Sequence, residues 1–431
     1  MILIFIDKHS NAFSYITSVL MEDVIDGFQI VHDWDSFVTY AGPKICYDSQ
    51  KKMDGFFRIV PSADIWHNGE FKRHAVQLDE SGCIPFIFPT KGDLKFDVFA
   101  ASFYVISRYE EYLPHDADHV GRFSAKNSTE TCGNLYKKPV VDIWRNELIA
   151  ELQKKWPQIQ LRKRSFEMIA TIDVDSAFAY CHKGFGRTLG GIGRDFSRFD
   201  WKNMLNRLCC LFGKCDDPFK TYNYIASHVK SVDLKLIFFF LLADFTKYDI
   251  NVTHKSKQLR QTILDLSKKF EIGIHPGISS HSKFETLINE KNRLEEITGQ
   301  KCTQSRQHYL KVNLPQTYRR LIDADIHDDY SMGYADDSGF RAGTCRPFKW
   351  FDLLNNSVTN LTVHSVMVMD ATLNSYLKLS PADAIEYCNE LIREVKNVNG
   401  IFISIWHNDT LAERGIWKGW RAVWENLIRN H

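Results

Sequence analysis

From about Phe166 onward the chain repeats one pattern, a short apolar run followed by a longer amphipathic one. The apolar runs are MIATID, LKLIFFFLLA, EIGIH, TQSRQHY, VHSVMVMD and IFISIWH. The helical runs between them include Pro218–Ser231, Ser256–Phe270, Lys283–Thr298, Gln316–Ala324 and Ser380–Val395, the last with Pro381 at an N1-like position. Alternation of this kind predicts parallel strands joined by crossover helices. About six to seven such units favour a barrel-like α/β architecture over an open sheet. Residues 1 to about 160 are different in character. Met1–Ile6 reads as a strand, Asp97–Tyr112 and Trp144–Lys155 as helices, and Pro114–Gly133 as a polar loop. The chain of 431 residues therefore divides into a smaller α/β unit, 1–160, and a larger one, 166–431.

Composition excludes several classes of function. Apolar residues make up 44% and charged ones 25%, as in an ordinary soluble protein. A formal net charge of +1 gives no case for nucleic acid or an anionic membrane as partner. The longest apolar run, Leu234–Ala243, is half of what a membrane span requires. The N-terminus has no basic leader and no cleavage site, so it reads as a first strand and not as a signal peptide. Ten cysteines without a Cys-x-x-Cys read as reduced thiols, which predicts a cytoplasmic location.

The chemistry gathers at strand ends. The first strand of the larger unit ends in Asp173 and Asp175, two carboxylates spaced i, i+2. On an extended backbone they point the same way and repel unless a cation or a proton lies between them. Taken alone, they also read as an Asp turn or a helix cap. Later strands end in His275, in Arg306 and His308, in Asp370 and in His407. Parallel strands put all these groups on one rim, and carboxylate, imidazole and guanidinium together suit metal-assisted hydrolysis.

In motif order and spacing, residues 166–425 resemble the polysaccharide deacetylases, metal-dependent hydrolases that remove N- or O-acetyl groups from carbohydrates. The resemblance implies a distorted (β/α)7 barrel, preceded by an accessory domain as in some bacterial proteins. It implies a divalent metal, most simply Zn²⁺, and a carbohydrate substrate, a cell-surface glycan or its precursor. Thr171, Asp173 and Asp175 match the opening Thr-x-Asp pair, with Asp173 as general base and Asp175 as ligand. His275 in EIGIH matches the first ligand of the second motif. The run into SRQHY matches the third motif, with Arg306 holding the base and the backbone N–H near Tyr309 meeting the oxyanion. Asp370 falls where the family orients its acid. Trp406-His407 matches the last motif, with Trp406 against substrate and His407 as general acid.

Two departures bear on the metal. The second motif is His-x-x-x-His in the family, yet here Ser279 stands four after His275, and the next histidine is His281. The third motif carries His308 where proline is usual. His308, His281 and no third protein ligand all stay open. A chain lacking the third ligand would be a degenerate barrel acting as a glycan-binding module; a narrow pocket would instead suit a small-amide deacylase. Three other stretches stand out. GFRAGTCRPF (Gly339–Phe348) offers Arg341 as a sugar- or phosphate-contacting residue, or is a plain turn. Asp325–Tyr330 reads as an acidic loop. Gly184–Arg198 reads as a mobile insertion after the first strand.

Overall fold

The computed structural model describes residues 1–51, 53–62, 77–78, 85–132 and 135–430. The N-terminal part holds a parallel sheet of β1 (Ile2–Ile6), β2 (Phe28–Val31), β3 (Lys44–Tyr47) and β4 (Phe57–Ile59), in the order β2-β1-β3-β4. Helices α1 (Asn11–Met21), α2 (Val98–Ile106) and α3 (Val140–Lys155) belong to the same part. Every residue of α2 is buried, which its unbroken apolar sequence VFAASFYVI allows. Asp97 caps that helix by accepting the Ala100 N–H. The stretch Pro114–Gly133, expected as loop, contains a helix over Ala125–Cys132, and Gly133 lies outside the described residues.

The second part is built on a nine-stranded sheet. Its strands are β5 (Glu167–Val174), β6 (Lys235–Phe240), β7 (Glu271–Ile274), β8 (Gln304–Ser305), β9 (Asp328–Met332), β10 (Phe348–Asp352), β11 (Ser357–Ser365), β12 (Val368–Met369) and β13 (Ile401–His407). The order is β10-β11-β9-β8-β7-β6-β5-β13-β12, and only the β10–β11 pair is antiparallel. The sheet curls. β11 and β12 are one stretch of chain interrupted by Val366 and Met367. Val366 donates its N–H to Met332 on β9, and Met367 donates to Ile403 on β13. One segment thus supplies the sheet's second strand and, at the opposite edge, its last.

Seven consecutive residues of β5, from Met168 to Val174, are buried. A strand covered on both faces needs this near-continuous apolar run. The covering helices α6 (Tyr222–Ser231), α7 (Lys257–Ser267), α8 (Phe284–Thr298), α9 (Gln316–Asp323), α10 (Pro381–Asn397) and α11 (Trp420–Arg429) follow those expected, within a few residues at the ends, α11 being additional. Two expectations fail. Asp325–Tyr330 is no loop, because Asp328–Met332 is strand β9. Asp329 alternates inward, fully buried, and accepts bonds from Ser305 and Ser331 hydroxyls at 2.8 Å. Gly184–Arg198 is almost wholly the helix Phe185–Ser197, followed by a second helix, Trp201–Leu211.

The two parts share a continuous buried apolar cluster and a set of buried charges. Arg341 forms a bidentate pair with Glu111, Nε to Oε1 and Nη2 to Oε2, both 2.8 Å, and donates Nη1 to the Gly333 carbonyl at 3.0 Å. Arg108 adds a bond from Nε to Glu111 Oε1 at 2.7 Å. With Arg341 only 1% exposed, its fork is fully used inside the protein. It therefore contacts no substrate, contrary to the sequence expectation. The flanking Gly343 has φ +64°, and a Cβ there would strike Val105 on α2, so GFRAGT is a packing turn. Burial would raise the Glu111 carboxyl, but Arg341 and Arg108 outweigh it and lower it to about 2. The pair's stabilisation is therefore full above the ordinary 4.5 and fades as pH falls toward 2. Arg341→Ala leaves Glu111 half-compensated in the interior and is expected to cost about 3–5 kcal/mol, read as a lower midpoint in urea unfolding. An unchanged midpoint would refute the pairing.

Candidate metal centre

The parallel strands bring five chain segments to one rim. Asp173 and His407 are register partners on β5 and β13. Asp175 follows β5 directly, and His275 follows β7, its N–H bonded to Phe240 on β6. Arg306 follows β8, its N–H bonded to Ile274 on β7. One carboxylate oxygen of Asp175 and one ring nitrogen each of His275 and His308 all lie within 4.8 Å of one another. His275 Nε2 is 3.2 Å from Asp175 Oδ1, and His308 Nε2 is 3.5 Å from Asp175 Oδ2. The third ligand position left open by the sequence thus has His308 beside it. His281 is not part of this group and Ser279 supplies no imidazole.

Each histidine is aimed by its other nitrogen. His275 Nδ1 is 2.5 Å from the Arg306 carbonyl oxygen. His308 Nδ1 is 2.9 Å from Asp249 Oδ1. A carbonyl can only accept, so His275 carries its proton on Nδ1 and leaves a lone pair on Nε2. Asp249 does the same for His308, in the carboxylate–histidine arrangement common behind metal ligands. Asp249 is fully buried and itself held by the Ile278 N–H at 3.0 Å and the Thr246 hydroxyl at 3.1 Å. It lies in the loop after β6, in KYDIN, where no spacing in the sequence marks it.

Without a cation His308 holds a proton on both ring nitrogens at neutral pH. Burial alone would lower the His308 imidazole, but the charges and hydrogen bonds of Asp175 and Asp249 outweigh it and raise it to about 9. Burial likewise would raise Asp175, yet His308 above all, with His275 and His407, holds its carboxyl well below the usual range. The donor set is one carboxylate and two imidazoles with Nε2 facing inward, which suits a divalent ion such as Zn²⁺. Asp175 Oδ1 is a buried oxygen with no well-formed hydrogen bond among the described residues, while the side chain as a whole is 36% exposed. The residues present therefore fit a metal with one side open to solvent.

The acid–base groups flank this cluster. Asp173 Oδ1 accepts from Arg306 Nη1 at 3.2 Å, and Arg306 Nη2 donates to Thr171 Oγ1 at 2.9 Å. Arg306 is fully buried and lies 4.8 Å over the Phe239 ring. On the other flank His407 Nδ1 is 2.8 Å from Asp370 Oδ1. Asp370 also accepts the His407 and Ala371 N–H groups and the Thr410 hydroxyl at 2.6–2.8 Å. Burial opposes charge on His407, but Asp370 outweighs it and raises the imidazole well above its ordinary value. Its Nε2 faces Asp175 Oδ2 at 3.9 Å.

Two expected substrate contacts fare differently. Tyr309 lies at the rim, half-buried, with φ +64° and its ring 4.2 Å from that of His308. Trp406 is fully buried and packs toward Trp420 at 6.3 Å. It precedes His407 on a strand, and neighbours on a strand point to opposite faces, so Trp406 faces the core and contacts no substrate. Asp409, not singled out from the sequence, lies two residues past His407, and burial pushes its carboxyl up to about 6. It lines a groove of about 900 Å³ with Tyr180, Lys183, Arg414 and Trp417. A further cavity of about 590 Å³, between α1 and Arg346, holds none of the acid–base groups.

Residues 2–157 match a family model described as "Family of unknown function (DUF7033)". No curated protein matches the chain. Among solved structures it is similar to a protein from Mycobacterium smegmatis described as a candidate polysaccharide deacetylase, at 13% identity and TM-score 0.40, over 62% of this chain and 85% of that one. It is similar to the polysaccharide deacetylase Bc1974 from Bacillus cereus at 9% identity and TM-score 0.31, over 62% and 87%. It is also similar to a CE4 family pseudoenzyme from Bacillus anthracis at 11% identity and TM-score 0.30, over 62% of this chain and 61% of that one.

A metal held by His308 would have to displace the proton that the ring carries up to about pH 9. Affinity for Zn²⁺, measured by competition with a chromophoric chelator, is therefore expected to rise about tenfold per pH unit between pH 6 and 8. Asp249→Asn releases that proton earlier and flattens the slope. A pH-independent affinity would argue against His308 as a ligand.

Proposed function

We propose that this chain is a metal-dependent hydrolase that removes an acetyl group from a carbohydrate, acting in the cytoplasm on a glycan precursor. The observation that carries the reading is the meeting of Asp175, His275 and His308 between a held carboxylate, Asp173–Arg306, and a held imidazole, His407–Asp370. In this reading residues 166–431 are a distorted (β/α)7 barrel of the polysaccharide deacetylase type, and residues 1–160 its accessory domain. Zn²⁺, held by Asp175, His275 and His308, would supply Lewis acidity toward the acyl carbonyl and make a neighbouring water easier to deprotonate. Asp173 accepts that water's proton, and Arg306 keeps the carboxylate aimed toward it. His407, kept protonated by Asp370, hands a proton to the leaving amine or alcohol. Tyr309 walls the site beside His308, and its backbone N–H is the proposed donor to the developing oxyanion. The groove lined by Tyr180, Asp409 and Trp417 has room for a few sugar rings and offers aromatic and polar contacts.

A glycan-binding module needs neither a base nor an acid, so the two held groups favour hydrolysis over mere binding. Metal analysis of purified protein after reconstitution with Zn²⁺ is expected to give close to one ion for the wild type and none for Asp175→Ala or His275→Ala. Asp173→Asn is expected to keep the ion and lose about 10²–10⁴-fold of acetate release from N-acetylglucosamine oligomers. A wild type that takes up no metal would hand the case to the binding module.

The acid must stay protonated to act, so rate is lost as pH rises through the elevated His407 value. Asp370→Asn removes the charge that raises it. The alkaline limb of the pH–rate profile is then expected to move to lower pH, and a limb that stays in place would exclude His407 as the acid.

A further inference from the structure

Two helices after β5 leave an apolar face bare. α4 (Phe185–Ser197) carries Phe185, Leu189, Ile192 and Phe196 at i, i+4, i+7 and i+11. α5 (Trp201–Leu211) carries Trp201, Met204, Leu205 and Leu208 on one stripe, with Phe212 next along. Such spacing normally buries a stripe against the core. Here Phe185 is 82% exposed, Phe199 and Phe212 75%, Leu205 62% and Phe196 58%. Phe245 and Ile250, from the loop after β6, add to the bare surface, and Arg187 lies over the Phe245 ring at 4.3 Å. Surface apolar residues occur singly on most proteins; a cluster of aromatic and aliphatic side chains on adjoining helices marks a contact surface.

The charge around it names the partner. Between Lys183 and Lys214 the chain has seven basic and two acidic residues, a local excess that the whole-chain value of +1 conceals. One acid, Asp195, is spent on Arg207 in a buried pair at 2.8 Å that ties the two helices together. Arg194, Arg198, Lys202 and Lys214 remain at the surface. Bare Phe, Leu and Trp rimmed by Arg and Lys is the pattern of a helix lying in a lipid interface. A second copy of the chain would set these cations against their own kind, and a nucleic acid has no use for exposed Leu189 and Leu205. At 13 and 11 residues neither helix is long enough to cross a bilayer. The hairpin is rooted at the candidate site. Asp217, just past it, accepts the N–H groups of Ala179, Tyr180 and Cys181, and Arg187 donates to the Asn251 carbonyl, two residues from Asp249.

We propose that α4 and α5 form a basic amphipathic hairpin that docks this protein on the surface of an anionic lipid bilayer. The test is co-sedimentation of the full chain with vesicles. Binding is expected to vesicles of phosphatidylcholine mixed with phosphatidylglycerol, at least about tenfold weaker to phosphatidylcholine alone, and to fall as salt rises. Phe196→Ser/Phe199→Ser/Phe212→Ser and Arg194→Glu/Arg198→Glu/Lys202→Glu are each expected to weaken it at least about tenfold while the thermal midpoint is kept. Failure of the wild type to bind the mixed vesicles overturns the proposal. So does full binding by both variants, or a wild-type dimer, seen by ultracentrifugation, that the serine variant dissociates without any vesicle binding. The readout needs neither metal nor turnover, so it stands or falls apart from the hydrolase reading.

Discussion

The buried guanidinium of Arg306 is the interaction on which the rim depends. A cation with no solvent contact needs a counter-charge and hydrogen bonds close by. Arg306 meets that demand through Asp173 and Thr171, and Thr171 in turn donates its hydroxyl to Ser404 on β13. The same residue's carbonyl oxygen receives His275 Nδ1. One position therefore aims the carboxylate read as the base and fixes the tautomer of the histidine beside Asp175. The Phe239 ring lies beneath the guanidinium, and Gly273 makes room for that ring, since a Cβ there would come within 2.5 Å of it.

At the candidate metal centre, tertiary structure brings together groups that no local spacing links. A histidine four residues after His275 would share its helical face. With Ser279 there, the imidazole beside Asp175 comes from His308, just past β8, the next strand in the chain and the neighbour of β7 in the sheet. Adjacent parallel strands are about 5 Å apart, so residues just past their ends stand at ligand distance without any local motif. The ring's outer nitrogen is held by Asp249, from a loop on the far side of β7.

What was legible follows from what is local. Long helices and the strands β5, β6, β7 and β13 could be read because their apolar periods are carried by contiguous residues, as in LKLIFFF and IFISIWH. The groups at the strand ends could be listed because parallel strands share one polarity. Strand β9 was not legible: DDYSM looks like a solvated turn until Asp329 finds Ser305 and Ser331 as buried partners. Trp406 was misread for the opposite reason. The resemblance sets Trp406 against substrate beside His407, whereas the pleat sends the two side chains apart. Asp249 carries no local sign at all, because its role is defined by His308, 59 positions away.

Arg341 makes the same point about charge. A glycine-flanked arginine in sequence looks available, and only the fold reveals that Glu111, more than two hundred residues earlier and also held by Arg108, already takes its fork. The N-terminal part is in this sense wired to the curled sheet and not merely laid on it. Asp142 on α3 repeats the device, accepting the Thr344 hydroxyl and the Cys345 N–H at 2.9 Å and pairing with Arg346 at 3.3 Å. Carboxylates taken out of water need such partners to stay ionised. Those of Glu111 and Asp142 lie across the junction, so the segment Gly339–Phe348 is constrained by electrostatics from one side and by the packing of Gly343 against α2 from the other. A segment held from both sides in this way fastens the N-terminal part to the chain that enters β10.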